Sequence, residues 1–435
     1  MFLSHPLSES RTVIFPRPLL LLALLIAAVP AFAQRLSALA PQPDWSQLEA
    51  FQETITHDEF VRLLDHVYAP NGAAKGVIDV EVDAAVIKKT LTPPTEFRLR
   101  FAKDAASVKA APRFWHTAAE LGAPPEGQPL AGLKIALDPG HLGGKWAQME
   151  ERFYQIGESR PVTEGDMTLR VAKMLVPKLQ ALGAQVSMVR DSTEPVTNER
   201  PETLRDAARA ELAKEGITSP RETYNGMNDP GRGETVQEKS ELLFYRISEI
   251  RKRAERINTQ LKPDLVVCLH FNAEAWGDPL HPDFVPRNHL HLLVNGCYSA
   301  GELHFDDQRF EMLQKLLSGT FVEDLAVSDQ MAGAVSAATK LPPYAYTTGN
   351  AIRAAENPYI WARNLLANRL YHAPVVFLEP YVMNSEIIWE RVQAGDYEGE
   401  LALGGEPRRS IFREYADAVV DGLRDYYTKA RATPK

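Results

Sequence analysis

Cysteine is scarce: two residues in 435, Cys268 and Cys297, both late and both inside apolar runs. A disulfide-stapled scaffold is therefore excluded. Apolar runs of this kind commonly bury free thiols, and a single bridge between the two is the alternative. Positive charge is also short, since 48 Lys and Arg against 57 Asp and Glu leave a net charge of −9. Nucleic-acid phosphates need a basic face, so nucleic acid is excluded as the main partner. The local basic run "EIRKRAER" (249–256) has the spacing of a solvated helix face. Internal repeats are lacking. A long hydrophobic run occurs once, as "LLLLALLIAAVPAFA" (19–33), and its apolar core is too short for a comfortable membrane span. Arg11 and Arg17 precede it and Ala31-Phe32-Ala33 closes it as an A-x-A cleavage site. Residues 1–33 thus read as a signal peptide, with Gln34 opening the mature chain. No cysteine follows the site to carry a lipid. The expectation is an exported protein, periplasmic or extracellular, with no membrane span after cleavage.

What is present is ordinary for a globular protein, with 45% hydrophobic and 24% charged residues. Residues 45–120 read as a small α+β module, in which the helix-like "HDEFVRLLDHVYA" precedes the alternating runs "GVIDVEVDAAVIKKT" and "EFRLRFA". The Pro- and Gly-rich "LGAPPEGQPLAG" (121–132) reads as a linker. From 133 to 428 strand-like and helix-like patterns alternate. The strand candidates are "LKIAL", "AQVSMVR" (184–190), "LVVCLHF" (265–271), "HLHLLVN" (289–295) and "APVVFLE" (373–379). Between the first two, Met167, Val171, Met174, Leu175, Leu179 and Leu182 form one apolar stripe, with Gly183 as a stop and Pro177 as a candidate kink. This alternation predicts an α/β fold: a mainly parallel central sheet flanked by helices, with the small N-terminal α+β module beside it.

In such sheets ligands sit beyond the carboxyl ends of the strands. His141 follows the first strand, His270 ends the third and Glu379 ends the fifth. Glu164 opens the long helix, where Thr163 and Asp166 have capping-box spacing. Two histidines and a carboxylate suit a three-ligand catalytic zinc, and a further carboxylate could take a proton from water. Glu150, Glu151 and Glu158 are rival ligands, Glu274 is a rival base, and His289 with His291 forms an H-x-H pair more suited to packing on the sheet or facing solvent.

The strings "IALDPGHLGG", "VTEGDMTLRVAKML", "VSMVRDSTEPVTNER", "KPDLVVCLHFNA" and "APVVFLEPYVMNSE" occur in that order. The series resembles the zinc-dependent N-acetylmuramoyl-L-alanine amidases of the Amidase_3 family over roughly residues 130 to 428. The resemblance implies that His141, Glu164 and His270 bind Zn2+ and that Glu379 is the catalytic carboxylate. It also implies hydrolysis of the amide between N-acetylmuramic acid and L-alanine of peptidoglycan stem peptides, and 133–428 as the catalytic domain. A catalytically silent peptidoglycan-binding protein and a zinc hydrolase of another exported amide are the alternatives. Asn272 matches the family's H-x-N and is expected to support the ligands, whereas Arg190 and Arg200 read as structural. Departures are Leu142 inside the turn, the insertion "KWAQMEERFYQIGESRP" before Glu164, and Pro380-Tyr381 where the family has x-Gly-Phe. Finally, "FDDQRFEMLQKLL" (305–317) resembles a stretch of the regulated members, in which an inserted segment covers the zinc until a partner moves it. That implies a lid, with Glu302 or Glu311 filling the open zinc position, and an activator protein. A packed surface helix is the alternative.

Overall fold

The computed structural model describes residues 35–278 and 281–432. The leader expected over 1–33 lies outside them.

A three-stranded antiparallel sheet comes first: β1 (Ile78–Val80), β2 (Ala84–Leu91) and β3 (Pro94–Arg100), preceded by a helix over His57–Leu63. The main sheet has seven strands: β4 (Lys134–Pro139), β5 (Gln185–Met188), β6 (Leu265–Leu269), β7 (Leu290–Val294), β8 (Ile352–Arg353), β9 (Ile360–Ala362) and β10 (Val375–Pro380). Their spatial order is β8-β9-β7-β10-β6-β4-β5. β10, β6, β4 and β5 run parallel, while β7 lies antiparallel to β10 and β8 antiparallel to β9. The expected α/β fold with a mainly parallel sheet is observed.

β6 is buried along its whole length, which explains its unbroken apolar run "LVVCL". Side chains alternate between the two faces of the sheet. Ile135 and Leu137 pack with Val171, Leu175, Met331 and Val419, whereas Ala136, Val266 and Phe377 pack with Ala254 and Ile257 on the other face. The helices include α1 (Glu164–Ala181), α2 (Glu249–Glu255), α3 (Asp306–Leu317), α4 (Phe321–Thr339) and α5 (Ile411–Ala432). The expected stripe of α1 faces the core, with Met167, Val171, Leu175 and Leu179 buried, and the helix continues through Pro177. α2 lies within a helical run over 236–261 of mixed α and π turns.

The N-terminal sheet shares one apolar cluster with α3 and the main sheet, joining Phe60, Ile87 and Leu99 to Phe310, Leu313 and Ile360. Arg309 of α3 donates to the carbonyls of Lys88 (2.6 Å) and Lys89 (3.1 Å). Arg431 of α5 donates to the carbonyls of Gly122, Pro129 and Ala131, which pins the Pro- and Gly-rich segment to the last helix. Both cysteines are buried and free, so the alternative of a bridge is not realised. Among the described residues no helix is long and apolar enough to cross a membrane.

Two expectations need correction. "EIRKRAER" is solvated on one side only: Lys252 and Glu255 pair in the open, but the Arg253 side chain is 5% exposed and Glu249 2%, and Arg251 pairs with Glu311 at 2.8 Å. The reason is an i,i+4 ion pair turned inward onto the buried Asp138. Nor is 302–318 a lid. Glu302 caps its own helix at Ser299, Glu311 pairs with Arg251 and Arg369, and most of α3 is buried in the core shared with the N-terminal sheet.

Candidate metal centre

β4 delivers the chain to a tight turn. Gly140 N–H donates to the Leu269 carbonyl at 2.8 Å, which ties the turn to β6. His141 then takes a left-handed backbone (φ 57°), a conformation costly for a side-chain-bearing residue and concentrated at functional sites. Two buried arginines hold it there. Arg253 donates to Asp138 (3.0 Å) and to the carbonyls of Pro139 (2.8 Å) and His141 (3.1 Å). Arg190 donates to the Gly165 carbonyl at 3.1 Å, joining the turn to the start of α1. Asp138 also accepts from the Tyr371 hydroxyl at 2.6 Å, so it is doubly paired despite its burial.

Glycine is required at 140 by close approach. A Cβ there would lie 2.2 Å from Cε1 of His270. The His270 ring is itself fixed by stacking on Phe377, at 4.4 Å between centroids and 14° between planes.

Glu164, 2% exposed, lies between the two imidazoles at the start of α1. One carboxylate oxygen is 3.3 Å from His141 Nε2, and the other is 3.2 Å from His270 Nδ1 and accepts from Phe271 N–H at 3.1 Å. Arg152 lies 3.2 Å away. One ligand atom from each of His141, Glu164 and His270 lies within 4.8 Å of the others. Two imidazole nitrogens and a carboxylate oxygen at this separation can hold a divalent metal ion. Burial alone would raise the Glu164 pKa, but His141, His270 and Arg152 hold it down to about 2. Burial lowers His141 well below its ordinary range, which favours the neutral ring that a metal needs. For His270 burial works the same way, but the hydrogen bond it donates to Glu164 and the charge of Glu379 leave its pKa raised.

Glu379 ends β10 and lines the same cavity as His141 and Glu164, about 560 Å3 in volume. Burial pushes its pKa up to about 7 against the pull of His270. A second cavity of about 280 Å3, beside α2, shares His141, Arg152, Arg363 and Glu379 with the first.

The rivals are placed elsewhere. Glu150 accepts from Leu142 N–H at 2.8 Å and lies 3.8 Å from His141 Nδ1, on the side of the ring away from Glu164. Leu142 is fully buried, so the extra residue in the turn anchors it. Glu151 pairs with Arg232 at 2.7 Å, and Glu158 is exposed. Glu274 pairs with Arg287. Thr163 does not cap α1. Its hydroxyl donates to Asp166, whose carboxylate also accepts from Gly144 N–H, so the pair pins the His141 turn instead. His289 and His291 are buried, His289 beside Glu274 and His291 3.1 Å from the Tyr346 hydroxyl. Asn272 faces His289 at 3.3 Å, not a member of the triad. Arg200 holds the Thr197 carbonyl, as its structural reading expects. Asp138, Arg253 and Phe377 escaped the sequence reading as parts of the site; the i,i+4 pair Glu249–Arg253 was the available signal for one of them.

No family model matches the chain, and no curated protein matches it. Among solved structures it is similar to the N-acetylmuramyl-L-alanine amidase Ami1 from Mycobacterium smegmatis, at 16% identity and TM-score 0.36, over 69% of this chain and 99% of that one. It is similar to the CwlD amidase from Clostridioides difficile, solved in complex with the GerS lipoprotein, at 11% identity and TM-score 0.39, over 68% and 100%. It is also similar to the amidase AmiC2 of Nostoc punctiforme, at 14% identity and TM-score 0.35, over 69% and 99%.

Proposed function

We propose that the protein is an exported zinc-dependent N-acetylmuramoyl-L-alanine amidase acting on peptidoglycan. One observation carries the reading: His141, Glu164 and His270 converge at the ends of β4 and β6 and the start of α1, with Glu379 lining the same cavity. These are the residues on which the sequence resemblance rests. The export part follows from the leader and A-x-A site in the sequence.

Zinc held by the triad would polarise the scissile carbonyl and make water a stronger acid. The chain's own groups do the rest. Glu164 supplies negative charge that stays ionised, because both rings and Arg152 surround it. Glu379, its pKa raised by burial to about 7, takes the proton from the attacking water as the carboxylate and returns it to the departing L-alanine amine. Phe377 and Gly140 keep the His270 ring in place while this happens.

Mass spectrometry of cell-wall digests identifies the bond directly. The expected products carry a free lactyl carboxylate on muramic acid and a free L-alanine amine on the peptide. Cleavage of glycosidic or peptide–peptide bonds, or none at all, would sink the reading. The mature protein should also contain about one zinc per chain, as a three-ligand catalytic site implies. His141→Ala and His270→Ala should each lose most of it, and full occupancy in both would mean that the ligands lie elsewhere.

A further inference from the structure

We propose that Arg363 is a recognition residue that anchors a peptide carboxylate of the substrate beside the reacting amide. The proposal rests on the muramoyl-peptide reading above and deepens it.

The charge layout of the cleft sets it apart. Glu151, Glu164, Glu274 and Glu379 line the larger cavity, together with two arginines, Arg152 and Arg363. Arg152 is paired with Glu164, and around the rim Arg232 is paired with Glu151 and Arg287 with Glu274. Among the described residues no carboxylate forms an ion pair with Arg363; its side chain donates only to the Tyr346 hydroxyl at 3.4 Å. A guanidinium has five N–H donors, so most of its capacity faces the cleft unclaimed. Its charge is felt by Glu379, and it lines both cavities along with His141 and Glu379.

Its position is also fixed in advance. Arg363 follows β9, and its N–H donates to the Val294 carbonyl at 3.0 Å. The Tyr346 ring lies 5.7 Å from the guanidinium, and the next residue, Asn364, donates to Glu302 at 2.8 Å and Gln308 at 3.0 Å. An arginine held this way loses little freedom on meeting a carboxylate, and the paired hydrogen bonds of that contact are among the stronger ones available.

Substrate chemistry selects the partner. The muramic acid carboxyl is consumed in the scissile amide and its N-acetyl group is neutral, so the anions lie on the peptide side. Because Arg363 shares its cavities with Glu379, the carboxylate near the cut is the one in reach. This is the α-carboxylate of the γ-linked glutamate in the second position.

The test compares three soluble muramoyl peptides: the free acid, the α-carboxamide at the second residue, and the carboxamide at the peptide terminus. The enzyme should prefer the free acid over the second-residue carboxamide by about tenfold or more in kcat/KM, chiefly through KM. Terminal amidation should change little. Arg363→Gln should erase the preference, cleaving acid and amide alike, and Arg363→Lys should restore part of it. Equal cleavage of all three by the unaltered enzyme overturns the proposal and leaves the amidase reading intact, as does discrimination at the terminal carboxylate alone. Cleavage of none of them, with zinc bound, overturns the amidase reading and this proposal with it. The comparison within the unaltered enzyme decides even if a variant folds poorly.

Discussion

Glu379→Gln should bind zinc like the parent and hydrolyse cell wall at least ~100-fold more slowly, the usual contribution of a positioned general base. The substitution keeps the shape of a side chain at the end of β10 and removes its ability to accept a proton. Metal content should be untouched, because Glu379 is not part of the three-residue set whose ligand atoms converge. The two measurements, zinc per chain and turnover, therefore separate. A variant that cleaves at the parent rate would show that another group takes the proton. Glu274 is a poor substitute, since its pairing with Arg287 lowers its pKa.

Replacing residues 302–318 with a short Gly-Ser linker should destroy the fold rather than release activity. Phe310, Met312, Leu313, Leu316 and Leu317 are all buried in the cluster that α3 shares with the N-terminal sheet. At ~1.5–3 kcal/mol for each large apolar side chain, their burial is worth on the order of 10 kcal/mol. That is comparable with the whole stability of a typical domain, ~5–15 kcal/mol. The loss extends beyond apolar surface, because Arg309 holds two carbonyls of β2 and Lys315 those of Tyr371 and Ala373. Soluble expression and thermal melting would report the outcome. A folded, faster shortened enzyme would restore the lid.

The contrast between these two regions shows what the sequence made legible. Strands such as "LVVCL" and "APVVFLE" announce themselves because both faces are buried, and the chemistry-bearing residues stand at their ends. β8 and β9 were missed because two or three residues carry no period. The lid over α3 was suggested by a resemblance and not by the residues' own pattern, whereas the solvated reading of α2 failed on its charges. Charged side chains read as solvent-facing unless a buried partner is known, and those partners come from far along the chain: Asp138 for Arg253, Glu311 for Arg251, the β2 carbonyls for Arg309. Arg363 was invisible for the same reason, since only the folded chain shows that, among the described residues, no carboxylate forms an ion pair with it. His141 was legible as a site residue, but not its left-handed backbone or the arginines that hold it.

The grip of Arg253 on the Pro139 and His141 carbonyls has a thermodynamic side. It makes the order of the helical run 236–261 and the occupancy of the triad two readings of one equilibrium. An ion that binds only the ordered turn stabilises that turn in proportion to the logarithm of its concentration over Kd, and Arg253 passes the gain to the helix. Chelation should therefore speed amide hydrogen exchange along 249–261 well before the main sheet opens.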